Sequence, residues 1–209
     1  MWTLLKGTVG STAYGLNGPH SDIDSLGVFK YDTGTYIGLK EYQESIVTSD
    51  PDTTMHEIRK YCRLALKCNP TVTELMWLSD YTYLSDDGLA LIDLREDFLS
   101  EKYVREAYLG YAKSQLTRLQ DRDHKRATKH AMHMARLTNQ GYELYTTGRV
   151  TVKVADPEWY HNFKTLDRTE WIDWFYEEEH KFRAAKCVLP EHPRTDRIDD
   201  WLYTTIIKD

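Results

Sequence analysis

Val9-Gly10-Ser11-Thr12-Ala13-Tyr14-Gly15-Leu16-Asn17-Gly18-Pro19-His20-Ser21-Asp22-Ile23-Asp24-Ser25-Leu26-Gly27-Val28-Phe29 is the stretch on which the fold turns. The apolar run Leu4 to Val9 ends at Gly10-Ser11, as a buried strand does when it turns sharply into a helix. That helix is expected over Thr12 to Leu16. Asn17-Gly18-Pro19-His20 is turn chemistry, and Asp22 to Phe29 then alternates in part as a strand does.

Two groups in this stretch carry chemical possibilities. At a strand-to-helix corner, backbone N–H groups and the Ser11 hydroxyl can point together at a phosphate, and Gly10 admits the anion closely. A lone Gly-Ser is also the mark of an ordinary turn with serine as helix cap. Asp22 and Asp24, one residue apart on a strand, would share a face while Ile23 points into the core. Their like charges repel unless a cation lies between them, and hard carboxylate oxygens suit Mg²⁺ better than a soft metal. A solvated turn whose aspartates cap backbone groups is the alternative.

Working outward, a third strand is expected from Thr53 to His56. It runs into Ile58, Tyr61, Cys62, Ala65 and Leu66, which mark one apolar helix face, with Arg59, Lys60, Arg63 and Lys67 around the other side. Glu57, where strand passes into helix, is a candidate third metal ligand facing the aspartate pair, or the group that activates an attacking hydroxyl. Asp52 competes for that place, and an acid favoured by the helix dipole is the plain reading of Glu57. Asn69-Pro70 ends the helix, and Thr71-x-x-Glu74 reads as a capping box for the next. Tyr14 suits either the core or a base stack.

From Asp87 the pattern turns helical: Leu89 to Leu99, Tyr103 to Leu119, and His124 to Thr147 with Gly148 as C-cap. Arg149 to Val154 alternates as a short strand, and Pro157 opens further helices. The expected division is a catalytic core over 1–90 and a helical region over 91–209 packed on it. On the third helix Lys125, Lys129, His133 and Arg136 form a polar stripe beside His130, while Ala127, Ala131 and Met134 face elsewhere. The stripe can meet phosphates or simply be a solvated basic face. His130 and His133 lack the acid or thiol partners of a zinc site. Trp171, Trp174 and Phe175 share a helical side, which suits core packing or a base-stacking surface.

Composition bounds the rest. With 209 residues, 41% of them hydrophobic, the chain can bury a sizeable core, and a net charge of −6 argues against nonspecific gripping of long nucleic acid. Cys62, Cys68 and Cys187 form no even framework and no metal finger, so reduced thiols in a cytoplasm are expected. No stretch approaches ~18 uninterrupted apolar residues and no signal peptide is evident, so a membrane is not expected as a partner.

The run from Gly10 to Val28 closely resembles the Gly-Ser, spacer, Asp-x-Asp signature of the polymerase-beta nucleotidyltransferase superfamily. Within that superfamily it looks like the predicted nucleotidyltransferases related to the RNA-repair-pathway polymerase-beta group, which occur in bacteria and phages. His56-Glu57, Arg63 to Leu66, Asn69 to Leu75 and Lys129-His130-x-x-His133-x-x-Arg136 also resemble family blocks, so the likeness covers about residues 4 to 154. It implies an α+β fold with a small mixed sheet flanked by helices, followed by a mainly helical half. It also implies two Mg²⁺ or Mn²⁺ ions, a nucleoside triphosphate (NTP) substrate, and transfer of a nucleoside monophosphate to an acceptor hydroxyl, as at an RNA end. Gly10 and Ser11 match the phosphate-binding pair and Asp22 and Asp24 the metal-binding pair, with Glu57 the third acid. Ser21, Lys129, His130, His133 and Arg136 join the expected nucleotide contacts. A protein or small-molecule acceptor, or a nucleotide-binding or antitoxin-like module without turnover, are the rival functions.

Overall fold

The computed structural model describes residues 1–19, 21–119 and 124–207, with backbone alone at 124 and 125. Their contacts group into two compact units: residues 1–99 with 193–209, and residues 100–192. The helical region expected over 91–209 is thus divided, and its last stretch belongs with the sheet.

In the first unit the chain forms β1 (Trp2–Val9), α1 (Gly10–Tyr14), β2 (Asp24–Lys30), α2 (Thr33–Ile37), β3 (Ser45–Ser49) and β4 (Asp52–Glu57). It continues through α3 (Ile58–Ala65), α4 (Pro70–Leu75), β5 (Tyr83–Leu84) and α5 (Asp86–Asp93). The sheet order is β3-β4-β2-β1-β5. β2 and β4 run parallel, and the other neighbours are antiparallel, so the sheet is mixed. Its core joins Leu4, Leu5, Leu26 and Val28 of the strands to Ile58, Tyr61, Ala65 and Leu75 of α3 and α4.

Local chemistry sets several boundaries differently from the pattern. α1 begins at Gly10, before the expected Thr12. β2 begins only at Asp24, so Asp22 precedes the strand, and Ile23 is 62% exposed instead of entering the core. α4 is capped by the Asn69 side chain, which accepts from Val72 N–H, with Pro70 in the first turn. Glu74 is therefore not a capping-box acid. It is buried.

The second unit holds α6 (Glu101–Leu119), α7 (His124–Thr147), α8 (Pro157–Phe163) and α9 (Arg168–Ala184). α6 and α7 lie close together, and Gly141 permits this: a Cβ there would stand 2.5 Å from Tyr108 Cβ. Gly148 follows α7 with φ +75°, as expected of a C-cap. Arg149 to Val154 is not a strand, although Val150, Val152 and Val154 are buried alternately. Side chains take the place of a neighbouring strand. Gln140 Nε2 donates to the Thr151 and Val152 carbonyls, and Glu143 accepts from the Thr151 N–H and hydroxyl. Trp171 and Phe175 are buried, and Trp171 Nε1 donates to the Phe163 carbonyl, so this aromatic side packs a core. No helix among the described residues is long and apolar enough to cross a membrane.

The chain returns to the first unit as α10 (Thr195–Ile207), which packs against α3 and α5. Lys30 Nζ donates to the Thr205 carbonyl and the Thr33 hydroxyl to that of Ile206, so β2 and α2 meet the orphan carbonyls of its last turn. At its start the Asp97 carboxylate, 3% exposed, takes Arg194 at 3.2 Å and Arg197 at 2.9 Å, whose side chains are 65% and 59% exposed. This burial is asymmetric, and so is the expected cost of breaking the cluster. Arg194→Ala with Arg197→Ala leaves a buried charge uncompensated and is expected to cost about 3–5 kcal/mol. Asp97→Ala frees two hydratable guanidinium groups and is expected to cost about 1–3 kcal/mol. Denaturant unfolding of the two variants checks the order, and equal losses would contradict it.

Candidate active site

β1 delivers the chain to the corner in extended conformation at Val9, and Gly10 then takes φ +70°, the left-handed region that favours glycine. Val9 pairs with Asp24 across the β1–β2 ladder. The corner therefore closes directly onto that aspartate: a Cβ on Gly10 would stand 2.3 Å from Asp24 Oδ2. Any larger residue would have to displace either the turn or the carboxylate. No side chain caps the start of α1, and Ser11 is its second residue. The helix closes at Gly15, whose N–H donates to the Thr12 carbonyl, and Leu16 N–H donates to that of Ser11. Tyr14 is buried, with its hydroxyl donating to Glu74 at 2.8 and 2.9 Å, so it is core and not an open stacking surface.

Between α1 and β2, residues 17–19 and 21–23 are exposed. Ser21 folds back on Gly18, accepting its N–H at 2.8 Å through Oγ. Asp22 follows in solvent, and Asp24 is partly buried at the head of β2. The aspartates thus share the end of the sheet without sharing a strand face, because Asp22 is not in the strand.

Register separates the two candidate third acids. β2 and β4 pair in parallel from Ser25 opposite Thr53 to Phe29 opposite Glu57. Asp24 and Asp52 are the first residues of their strands, and the same register continued one step earlier sets them opposite one another. A period of two puts these two on one face of the sheet and Glu57 on the other. Five residues of β4 further on, Glu57 lies roughly 16 Å from that end. It is fully buried, and its carboxylate caps α3: Oε1 accepts from Arg59 N–H and Oε2 from Lys60 N–H. Tyr36 O–H also donates to Oε1 at 2.7 Å. Burial, with Glu57 beside it, holds that phenol protonated far above its ordinary range. The expectation that Glu57 faces the aspartate pair is corrected accordingly. Its side chain completes a helix start, and Asp52 occupies the place beside Asp24.

Carboxylate oxygens at this corner are the donor chemistry of Mg²⁺ or Mn²⁺. Among the described residues no three His, Cys, Asp or Glu groups converge as a metal-holding set. By donor type Asp24 and Asp52 fit a hard divalent cation, with Asp22 two residues ahead of the strand.

The stripe on α7 is solvated only in part. Lys129 is exposed, but Arg136 is 3% exposed, its Nη1 donating to Gln140 Oε1 at 2.6 Å and its Nη2 within 3.2 Å of His133 Nδ1. His130 Nδ1 meets Gln115 Oε1 at 2.8 Å. The Lys125 side chain lies outside the described residues. Lys129, His130, His133 and Arg136 belong to the second unit, whereas Gly10, Ser11, Asp22, Asp24 and Asp52 belong to the first.

Burial, reinforced by Arg136 and Lys129, lowers the His133 pKa from 6.5 to about 3. The unfolded chain binds this proton near pH 6.5 and the folded one only near pH 3. The neutral imidazole's contribution to stability is therefore whole above pH 6.5 and lost as pH falls toward 3. His133→Gln is expected to lose less melting temperature than the parent between pH 7.5 and pH 5; equal losses would refute a buried neutral imidazole.

A mixed sheet whose first turn sets Gly-Ser against an aspartate of the next strand defines the class of polymerase-beta-type nucleotidyltransferases. The chain matches the RNA repair pathway DNA polymerase beta family over residues 2–172, from β1 into α9, and it belongs to that family. No curated protein matches it.

Proposed function

We propose that the chain transfers a nucleoside monophosphate from an NTP to an acceptor hydroxyl at an RNA end. The acceptor oxygen bonds to the α-phosphorus, the bond from that phosphorus to the bridging oxygen breaks, pyrophosphate leaves, and the hydroxyl proton is lost. The observation that carries this reading is the contact between the Gly10 turn and the Asp24 carboxylate, supported by the family match. In this reading the Gly10-Ser11 backbone and the Ser11 hydroxyl donate to the triphosphate tail, with Ser21 on the neighbouring loop. Asp24 and Asp52, with Asp22 two residues ahead of β2, would supply the carboxylate oxygens for Mg²⁺ or Mn²⁺. When bound, such ions lower the pKa of the acceptor hydroxyl and neutralise the departing pyrophosphate. Asp24 orients the reacting groups against the corner because the missing Cβ of Gly10 leaves its carboxylate touching that turn.

The test incubates the full chain with each labelled triphosphate, Mg²⁺ or Mn²⁺, and a panel of RNA, DNA and protein acceptors. Label in RNA, with pyrophosphate released, supports the proposal. Label in protein alone moves the acceptor, and tight NTP binding without transfer to anything makes the chain a binding module.

A further inference from the structure

We infer that Tyr14 and Glu74 form a positioning pair that holds the Gly10-Ser11 corner in place against Asp24; this rests on the nucleotidyl-transfer reading. α1 is a single short turn of five residues, far below the length at which a helix is stable by itself, and no side chain caps its start. Its orientation must come from tertiary contacts. Tyr14 is its last residue, one helical turn beyond Gly10 and therefore on the same side of the helix. The ring is 5% exposed, and its hydroxyl reaches both oxygens of Glu74, at 2.8 and 2.9 Å. Glu74 is 2% exposed and stands on α4, which packs on β1 and β2, the two strands that bracket the corner.

A buried carboxylate is costly to keep, and an apolar residue would fill the same space more cheaply if packing were its only role. What the pair adds is direction. A charge-assisted hydrogen bond is short and oriented, and this one fixes the rotation of α1 about its axis relative to the sheet. Gly10 lies at the other end of that turn, where a single carbon atom would be too much for the space before Asp24. A displacement of even ~1 Å at a reacting centre costs on the order of a hundredfold in rate. The tyrosine acts through the corner, and it touches neither substrate nor the reacting atoms.

Tyr14→Phe and Glu74→Gln are measured beside the parent for kcat, for KM toward the triphosphate, and for melting temperature. Phenylalanine keeps the ring and deletes the tether, so kcat is expected to fall roughly ten- to a hundredfold at temperatures well below melting. Glutamine keeps a carbonyl oxygen that accepts the tyrosine O–H, and Glu74→Gln is expected to retain activity within about threefold. Kinetic constants of Tyr14→Phe matching the parent, or loss of activity that follows only the unfolded fraction, overturns the inference. So does Glu74→Gln falling as far as Tyr14→Phe while still folded. A parent chain that transfers no nucleotide fails the underlying reading instead, which separates the two.

Discussion

Asp24→Asn is expected to reduce nucleotidyl transfer at least about a thousandfold while leaving the fold intact. Asparagine preserves the shape of the side chain at the head of β2, so the ladder from Val9–Asp24 onward keeps its register. What is lost is the negative charge that the proposed cations need at the Gly10 corner. Gly10→Ala approaches the same point from the other side. Its Cβ would meet Asp24 Oδ2 at 2.3 Å, and φ +70° is unfavourable for an L residue by roughly 1–2 kcal/mol. Both variants should therefore depress kcat, but only Gly10→Ala should also lower the melting temperature. Steady-state kinetics with a melting curve for each variant decides, and an Asp24→Asn protein with parental kcat would remove Asp24 from the chemistry.

How far the sequence foretold this site depends on how local each feature is. The Gly10-Ser11 turn and the aspartates were legible because strand, turn and strand are written within a single stretch, and the family signature rests on the same residues. Even there β2 begins two residues later than its alternation suggests, at Asp24, and leaves Ile23 exposed ahead of the strand. The alternation of Arg149 to Val154 describes burial correctly and pairing wrongly, because Gln140 and Glu143 take the hydrogen bonds a neighbouring strand would have made. β3 is an edge strand with Val47 68% exposed, so it carries little hydrophobic pattern in the sequence. Contacts between distant segments were beyond reach. Nothing local marks Tyr14 and Glu74 as partners across 60 positions, or sends α10 back to the first unit. The α7 stripe shows the same limit: helical spacing locates Arg136 beside Lys129 without saying that one is buried and the other exposed.

Asp52 and Glu57 give the sharpest division of roles, because five residues of one strand separate an acid beside the corner from an acid that builds a helix start. Asp52→Asn is expected to lower kcat about a hundredfold or more with little change in stability, since Asp52 is exposed and asparagine keeps its backbone place in the β3–β4 ladder. Glu57→Gln should do the reverse. An amide nitrogen in place of either carboxylate oxygen would face a backbone N–H of α3, donor against donor, in a fully buried site. The loss of that buried helix-cap hydrogen bond is expected to cost about 1–3 kcal/mol, with kcat held within a few-fold where the protein stays folded. The two readouts exchange places if the third acid is Glu57: kcat would then collapse in Glu57→Gln at unchanged melting temperature and survive in Asp52→Asn. The register of β2 on β4 argues against that outcome, because continued one step it brings Asp52 next to Asp24, and it carries Glu57 to the far end and opposite face of the sheet.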